Sequence, residues 1–202
     1  MKRVIWKLAT VAALTLLAGV AEAGNQFDYC LVCHGANANG NLAIRAPKLS
    51  GMEALYMTRQ LKNFAAGTRG VPADDVSGHE MRPVALRLEK EGVLDAAVQF
   101  IGTLDSRKPT ATVRGDVQQG QVLYAACAEC HGPKGEGNAQ LQAPALAARS
   151  DWYLVTQLNN YRLGVRGTDA RDAFGAQMRA AAGTLADDQA VSDVVAYINT
   201  LP

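Results

Sequence analysis

The sequence predicts an all-α protein built as two similar units in tandem. Three observations carry that expectation. Shifted by 97 residues, the chain matches itself without a gap. Apolar residues in each half recur at three- and four-residue steps, and no stretch sustains the apolar/polar alternation of a half-buried strand.

The repeat is dense around a few residues. Cys30-Leu-Val-Cys33-His34 falls on Cys127-Ala-Glu-Cys130-His131, Gly40-Asn41 on Gly137-Asn138, and Pro47-x-Leu49 on Pro144-x-Leu146. Further on, Tyr56-x-x-x-Gln60-Leu61-x-Asn63 falls on Tyr153-x-x-x-Gln157-Leu158-x-Asn160, Gly67-x-Arg69-Gly70 on Gly164-x-Arg166-Gly167, and Met81-Arg82 on Met178-Arg179. Of the 75 pairs from 30/127 to 104/201, 27 are identical, where composition alone gives about 10%. Ser106-Arg107-Lys108-Pro109-Thr110-Ala111-Thr112 is polar, contains a proline and has no helical period. The expected organisation is therefore a leader at 1–23, a first domain at 24–105, a linker at 106–112 and a second domain at 113–202. Domains this small bury little apolar surface and often need a staple. A large apolar cofactor in the middle of each would provide one.

The elements follow in chain order. Met1-Lys2-Arg3 and Lys7 make a basic start, Leu8 to Val20 is an apolar run of 13 residues, and Ala21-Glu22-Ala23 is a small-x-small signal. That is the layout of a secretory leader, cleaved after Ala23. The run is shorter than the roughly 20 residues of a spanning helix, so no stable membrane insertion is expected. Six residues then precede Cys30, and the first domain's opening helix is barely two turns unless cleavage lies earlier, for example after Ala21. In the second domain Val117, Gly120, Leu123, Tyr124 and Cys127 mark a fuller helix, with Gly120 placed four before Tyr124 for close helix crossing. Ser50-x-x-Glu53 reads as a capping box that opens a helix through Tyr56, Gln60, Leu61 and Phe64, stopped by Gly67. Its copy begins near Ser150-Asp151 and stops at Gly164. C-terminal helices are expected on Leu94, Val98, Ile101 and Leu104, and on Val191, Val195, Ile198 and Leu201.

Charge excludes one class of partner. The chain has 20 Lys+Arg against 19 Asp+Glu, and loss of Lys2, Arg3, Lys7 and Glu22 with the leader turns a net +1 into about −1. With no Lys/Arg run either, no nucleic-acid binding is expected.

Four cysteines in an exported chain ordinarily suggest two disulfides. Their spacing argues otherwise. Cysteines three positions apart lie on neighbouring sides of one helical turn, within reach of the two vinyl groups of one haem, and the next residue presents an imidazole to the iron. Cys30 and Cys33 with His34, and Cys127 and Cys130 with His131, thus point to two covalent haem c groups. Zinc would need further Cys or His ligands in each half, and the chain has only three His. A thioredoxin-like pair wants a βαβ setting, which is absent.

The sixth iron ligand follows from the repeat. Of the methionines beyond the leader, only Met81 and Met178 are repeat partners, each 47 residues after its histidine. Met52 aligns with Arg149 and Met57 with Leu154, and both read as packing residues. His79 is a competitor for Met81, but its partner position is Ala176, and a surface or loop role suits it better. His/Met ligation saturates both irons and leaves no open position for a substrate.

On these motifs each half resembles a class I cytochrome c domain, and the pair resembles the di-haem cytochrome c4 family across almost the whole mature chain. The resemblance implies two tandem all-α domains, each wrapped around one haem, with His34 and Met81 on one iron and His131 and Met178 on the other. It implies that the carbonyls of Pro47 and Pro144 accept a hydrogen bond from the proximal histidines. It also implies a periplasmic one-electron shuttle, fed by a dehydrogenase or a cytochrome bc1-type complex and drained by a terminal oxidase. A dedicated cytochrome subunit of an oxidase or dehydrogenase would carry the same ligation, so the motifs do not separate it from a free carrier. A di-haem peroxidase or thiosulfate-oxidising cytochrome fits less well, because every Cys is consumed and each half has its Met. Arg69 and Arg166 are candidates for pairing with haem propionates, with a solvated loop role as the alternative. Tyr56 and Tyr153 are expected to pack in the core, on the haem or across a domain face.

Overall fold

The computed structural model describes residues 25–202, so the expected leader lies outside the described residues. Among them there are eight α-helices and no named strand. The only β pairings are isolated bridges between Asn41 and Ala46 and, 97 residues on, between Asn138 and Ala143. No described helix is long and apolar enough to cross a membrane.

The helices fall into two sets. The first holds α1 (Tyr29–His34), α2 (Ala54–Ala66), α3 (Val76–Lys90) and α4 (Leu94–Gly102), with α2 packed on α3 and α4. The second holds α5 (Val117–His131), α6 (Asp151–Arg162), α7 (Ala173–Ala182) and α8 (Asp188–Ile198), with α5 and α6 packed on α8 and α6 on α7. Each set has its own apolar cluster. Phe27, Leu61, Phe64, Leu88, Val98 and Ile101 anchor the first, and Tyr124, Leu154, Val191, Val194, Val195 and Ile198 the second.

Most expected helices form for the expected reasons. The stripe Leu94, Val98, Ile101 is the buried face of α4, and Val191, Val195, Ile198 that of α8. α2 stops at Gly67, whose φ of 72° no β-carbon favours. Gly120 sits against α8, where a Cβ would lie 2.0 Å from the Asp193 carbonyl oxygen. The capping box does not form. α2 begins at Ala54, neither Ser50 nor Glu53 caps it, and Ser50 Oγ instead donates to the Ala38 carbonyl at 3.3 Å. Glu53 is drawn away to the other unit, as described below. α3 and α7 carry no strong apolar period and were not expected. Their starts are fixed by Asp75 and Asp172, whose carboxylates accept from the N–H of Gly78 and Gly175 at 3.2 and 2.9 Å.

Residues 103–116 are non-helical but tied down. Ser106 Oγ donates to the Ser50 carbonyl, and Lys108 Nζ donates to the Leu201 carbonyl at 2.7 Å. The buried Asp151 carboxylate accepts from the N–H of Thr112 and Val113 and from the Thr112 hydroxyl. Burial alone pushes this carboxyl up, but these hydrogen bonds, with another from the Trp152 N–H, outweigh that and hold it below the ordinary range.

Two candidate cofactor sites

α1 presents Cys30, Cys33 and His34 along its six residues, and α5 presents Cys127, Cys130 and His131 at its C-terminal end. No disulfide joins any of the four cysteines. Cys33 and Cys130 are exposed, whereas Cys30 and Cys127 are partly buried, which pushes their thiols above the ordinary value. Both helices end on a glycine of positive φ, Gly35 at 77° and Gly132 at 79°. The chain turns back there, and the N–H of Gly40 and of Gly137 donate to the carbonyls of His34 and His131 at 2.7 and 2.8 Å.

The two imidazoles are buried and oriented alike. Nδ1 of His34 lies 2.7 Å from the Pro47 carbonyl oxygen, and Nδ1 of His131 lies 2.7 Å from that of Pro144. A carbonyl only accepts, so Nδ1 carries the proton and Nε2 keeps a free lone pair. Burial pushes both imidazoles below their ordinary value, against the opposing pull of the carbonyl and, at His131, of the Glu53 charge. Each histidine thus offers a fixed, neutral imidazole with a free Nε2 lone pair.

Opposite stand the paired methionines, Met81 on α3 and Met178 on α7. Nε2 of His131 lies 3.5 Å from Sδ of Met178. Both helices are pulled close by a glycine contact. A Cβ on Gly70 would lie 2.4 Å from the Gly78 carbonyl oxygen, and one on Gly167 would lie 2.3 Å from that of Gly175. Each Cys-His-Met set lines one solvent-open cleft. Met52 and Met57 also line the first cleft, while Met178 is the one methionine on the second. His79 is exposed on α3 and lines neither.

Between the clefts the repeat residues cross over. Arg69 donates to Gln60 Oε1 in its own unit and to the Tyr153 hydroxyl and Gln157 Oε1 of the other, each at 3.0 Å. Arg166 reciprocates, donating to Gln157 Oε1 at 2.7 Å, Gln60 Oε1 at 2.6 Å and the Tyr56 hydroxyl at 3.4 Å. Arg69 and Arg166 are therefore neither loop cations in solvent nor isolated, being 6% and 2% exposed. Tyr56 and Tyr153 serve the face between units rather than a core. The glutamines were visible as repeat pairs, but nothing in their spacing announced this crossing.

The residues fit a covalently held macrocycle. No described group of three or more His, Cys, Asp or Glu could hold a bare metal ion. One imidazole with the repeat-paired thioether in each cleft would leave the other coordination positions to a ligand that is itself a ring. The buried Nε atoms of Arg69 and Arg166 have no hydrogen-bond partner, and neither guanidinium lies within 4.0 Å of a described carboxylate. Buried cations need anions, and a ring bearing carboxylates would bring them.

Comparison with known proteins agrees with this geometry. The cytochrome c family profile matches residues 117–202. The chain is 33% identical to the thiosulfate dehydrogenase electron acceptor of Stutzerimonas stutzeri (strain A1501), over 98% of this chain and 97% of that one. It is 30% identical to cytochrome c4 of Azotobacter vinelandii, over 95% and 93%. The solved cytochrome c4 of Acidithiobacillus ferrooxidans superposes with a TM-score of 0.68 at 25% identity, covering 85% of this chain and 98% of that one. The chain belongs to the cytochrome c4 family, one-electron carriers that hold two haem c groups.

Proposed function

We infer that His34 with Met81, and His131 with Met178, ligate the two irons, while Cys30, Cys33, Cys127 and Cys130 hold the rings by thioether bonds. The approach of His131 Nε2 to Met178 Sδ, with Nδ1 pinned to Pro144, is the observation that carries this reading. Bound haem supplies a ferric/ferrous couple. The protein's part would be to hold each histidine neutral and aimed, to supply one imidazole and one thioether to each iron, and to keep the apolar cleft walls around the ring. Such ligation exposes no position for a substrate, so the chain transfers electrons without transforming another molecule. The buried Arg69 and Arg166 are suited to ring carboxylates at the face between units. Residues 24–105 and 113–202 act as two domains joined by 106–112.

The carrier works in the periplasm after loss of residues 1–23. The name of the Stutzerimonas relative supports a thiosulfate dehydrogenase as donor, and a terminal oxidase is the acceptor. Redox encounters of this kind bury under about 1,200 Å² and are short-lived. Redox-monitored absorbance of Met81→Ala and Met178→Ala tests the ligands, each being expected to lose one of two sulfur-to-iron charge-transfer signals and to lower one potential. A variant that leaves both centres unchanged refutes its ligand. Stopped-flow mixing with a thiosulfate-reduced thiosulfate dehydrogenase should reduce both haems; reduction by a bc1-type complex alone would move the donor assignment there.

A further inference from the structure

The peptide groups behind the two proximal histidines are buttressed from the opposite unit, and the two buttresses differ in charge. In the first unit the Pro47 carbonyl accepts from His34 Nδ1, and the N–H of the same peptide, that of Lys48, donates to Ser150 Oγ at 3.3 Å. In the second the Pro144 carbonyl accepts from His131 Nδ1, and the N–H of that peptide, at Ala145, donates to Glu53 Oε1 at 2.6 Å. Glu53 and Ser150 are repeat partners, as are Lys48 and Ala145. One relay therefore ends on a carboxylate and the other on a neutral hydroxyl.

We propose that Glu53 is a positioning residue that reaches across from the first unit and lowers the reduction potential of the haem bound by His131. The reasoning rests on the ligand reading above and adds a cause for inequality between the two haems. A carboxylate pulls on the Ala145 N–H, and hydrogen bonds in a chain polarise one another. The Pro144 carbonyl gains electron density, accepts more strongly from His131 Nδ1, and makes that imidazole a more basic ligand. A more basic ligand favours the ferric ion. The electron enters and leaves with no bond to the protein made or broken and no proton moved. One basic side chain opposes this only in part: Arg149 feels the Glu53 charge but forms no ion pair with it. Arg149 donates to the Gly51 carbonyl at 2.6 Å rather than to Glu53, no described cation lies within 4.0 Å of the Glu53 carboxylate, and Glu53 Oε2 has no hydrogen-bond partner. On the other side Lys48 Nζ donates to the Ala148 carbonyl at 3.0 Å, adding a cation beside the first relay where the second has Ala145.

The test is spectroelectrochemical titration of the holoprotein, with each haem identified by its hyperfine-shifted methyl resonances. In Glu53→Gln the acceptor oxygen stays and the charge goes. At a fixed potential the ferrous-to-ferric ratio of the His131 haem should rise three- to tenfold, tenfold being 59 mV for a one-electron couple, while the His34 haem holds its value. The reciprocal variant Ser150→Asp places a carboxylate at the first relay and should lower the ratio at the His34 haem by a similar factor. An unmoved His131 haem in Glu53→Gln, or equal shifts at both haems, overturns the proposal. So does an unmoved His34 haem in Ser150→Asp, which keeps the question decidable if Glu53→Gln does not fold. The ligand reading fails separately, by absence of two low-spin haems with sulfur-to-iron charge transfer in the wild-type spectrum.

Discussion

The two units do the same job with unequal amounts of chain. α1 has six residues where α5 has 15. Yet the aromatic clamp at the base of each is retained at matching repeat positions. Phe27 meets Phe100 with ring centroids 6.0 Å apart, and Tyr124 meets Tyr197 at 5.3 Å. The comparison teaches which part of the opening helix the cofactor site needs. One turn bearing two cysteines and a histidine, closed by a positive-φ glycine and braced by an aromatic pair, is enough. The remaining turns of α5 serve its packing on α8 through Gly120.

The comparison is broken most severely at the methionines. Met178→Ala should abolish half of the sulfur-to-iron charge transfer permanently, because no other methionine lines that cleft. Met81→Ala should lose the other half, even though Met52 and Met57 share its cleft; recovery of the signal there would show that the first unit has a spare thioether. Next in size is Gly120→Ala. Its Cβ would fall on backbone, which cannot step aside cheaply, and a loss of about 1–3 kcal/mol is expected in thermal unfolding.

Asp151→Asn sharpens the contrast between a linker and a strap. It turns an acceptor toward the N–H donors of Thr112 and Val113 into a mixed amide, at a cost of about 1–3 kcal/mol. Because the native carboxyl is held below its unfolded value, this contribution is complete above the unfolded value of about 3.9 and is lost as pH falls through the lower folded one. The wild-type advantage over Asp151→Asn should therefore persist at pH 6 and vanish in strong acid, as read by denaturant midpoints. Smallest is Tyr124→Phe, which gives the second unit the first unit's aromatic. It removes the hydroxyl's bond to the Gly132 carbonyl at 2.8 Å and should cost about 1 kcal/mol.

Local signals in the chain were reliable where a residue acts on its own neighbours. Cys30-x-x-Cys33-His34 and its copy, the stop at Gly67, and the apolar stripes of α4 and α8 are all matters of spacing within one or two turns. α3 and α7 escaped notice because their faces are mixed. Gly78 and Pro83 weaken the pattern in α3, and an exposed His79 sits one turn before the Pro. Ser50-x-x-Glu53 misled for the opposite reason. The local capping bond was available, but Ala145 of the other unit offered Glu53 a donor at 2.6 Å, and the tertiary partner won.

From the sequence alone came the duplication, the helical class and the Cys-x-x-Cys-His motifs, since each depends on identity and interval along the chain. Folding in three dimensions decided how the halves meet. The crossed Arg69 and Arg166 bonds and the unequal support of Pro47 and Pro144 join residues about 85 to 110 positions apart. No periodicity encodes such contacts, because they arise from burying two faces against each other, where every polar group left without water must find whatever partner the opposite surface presents.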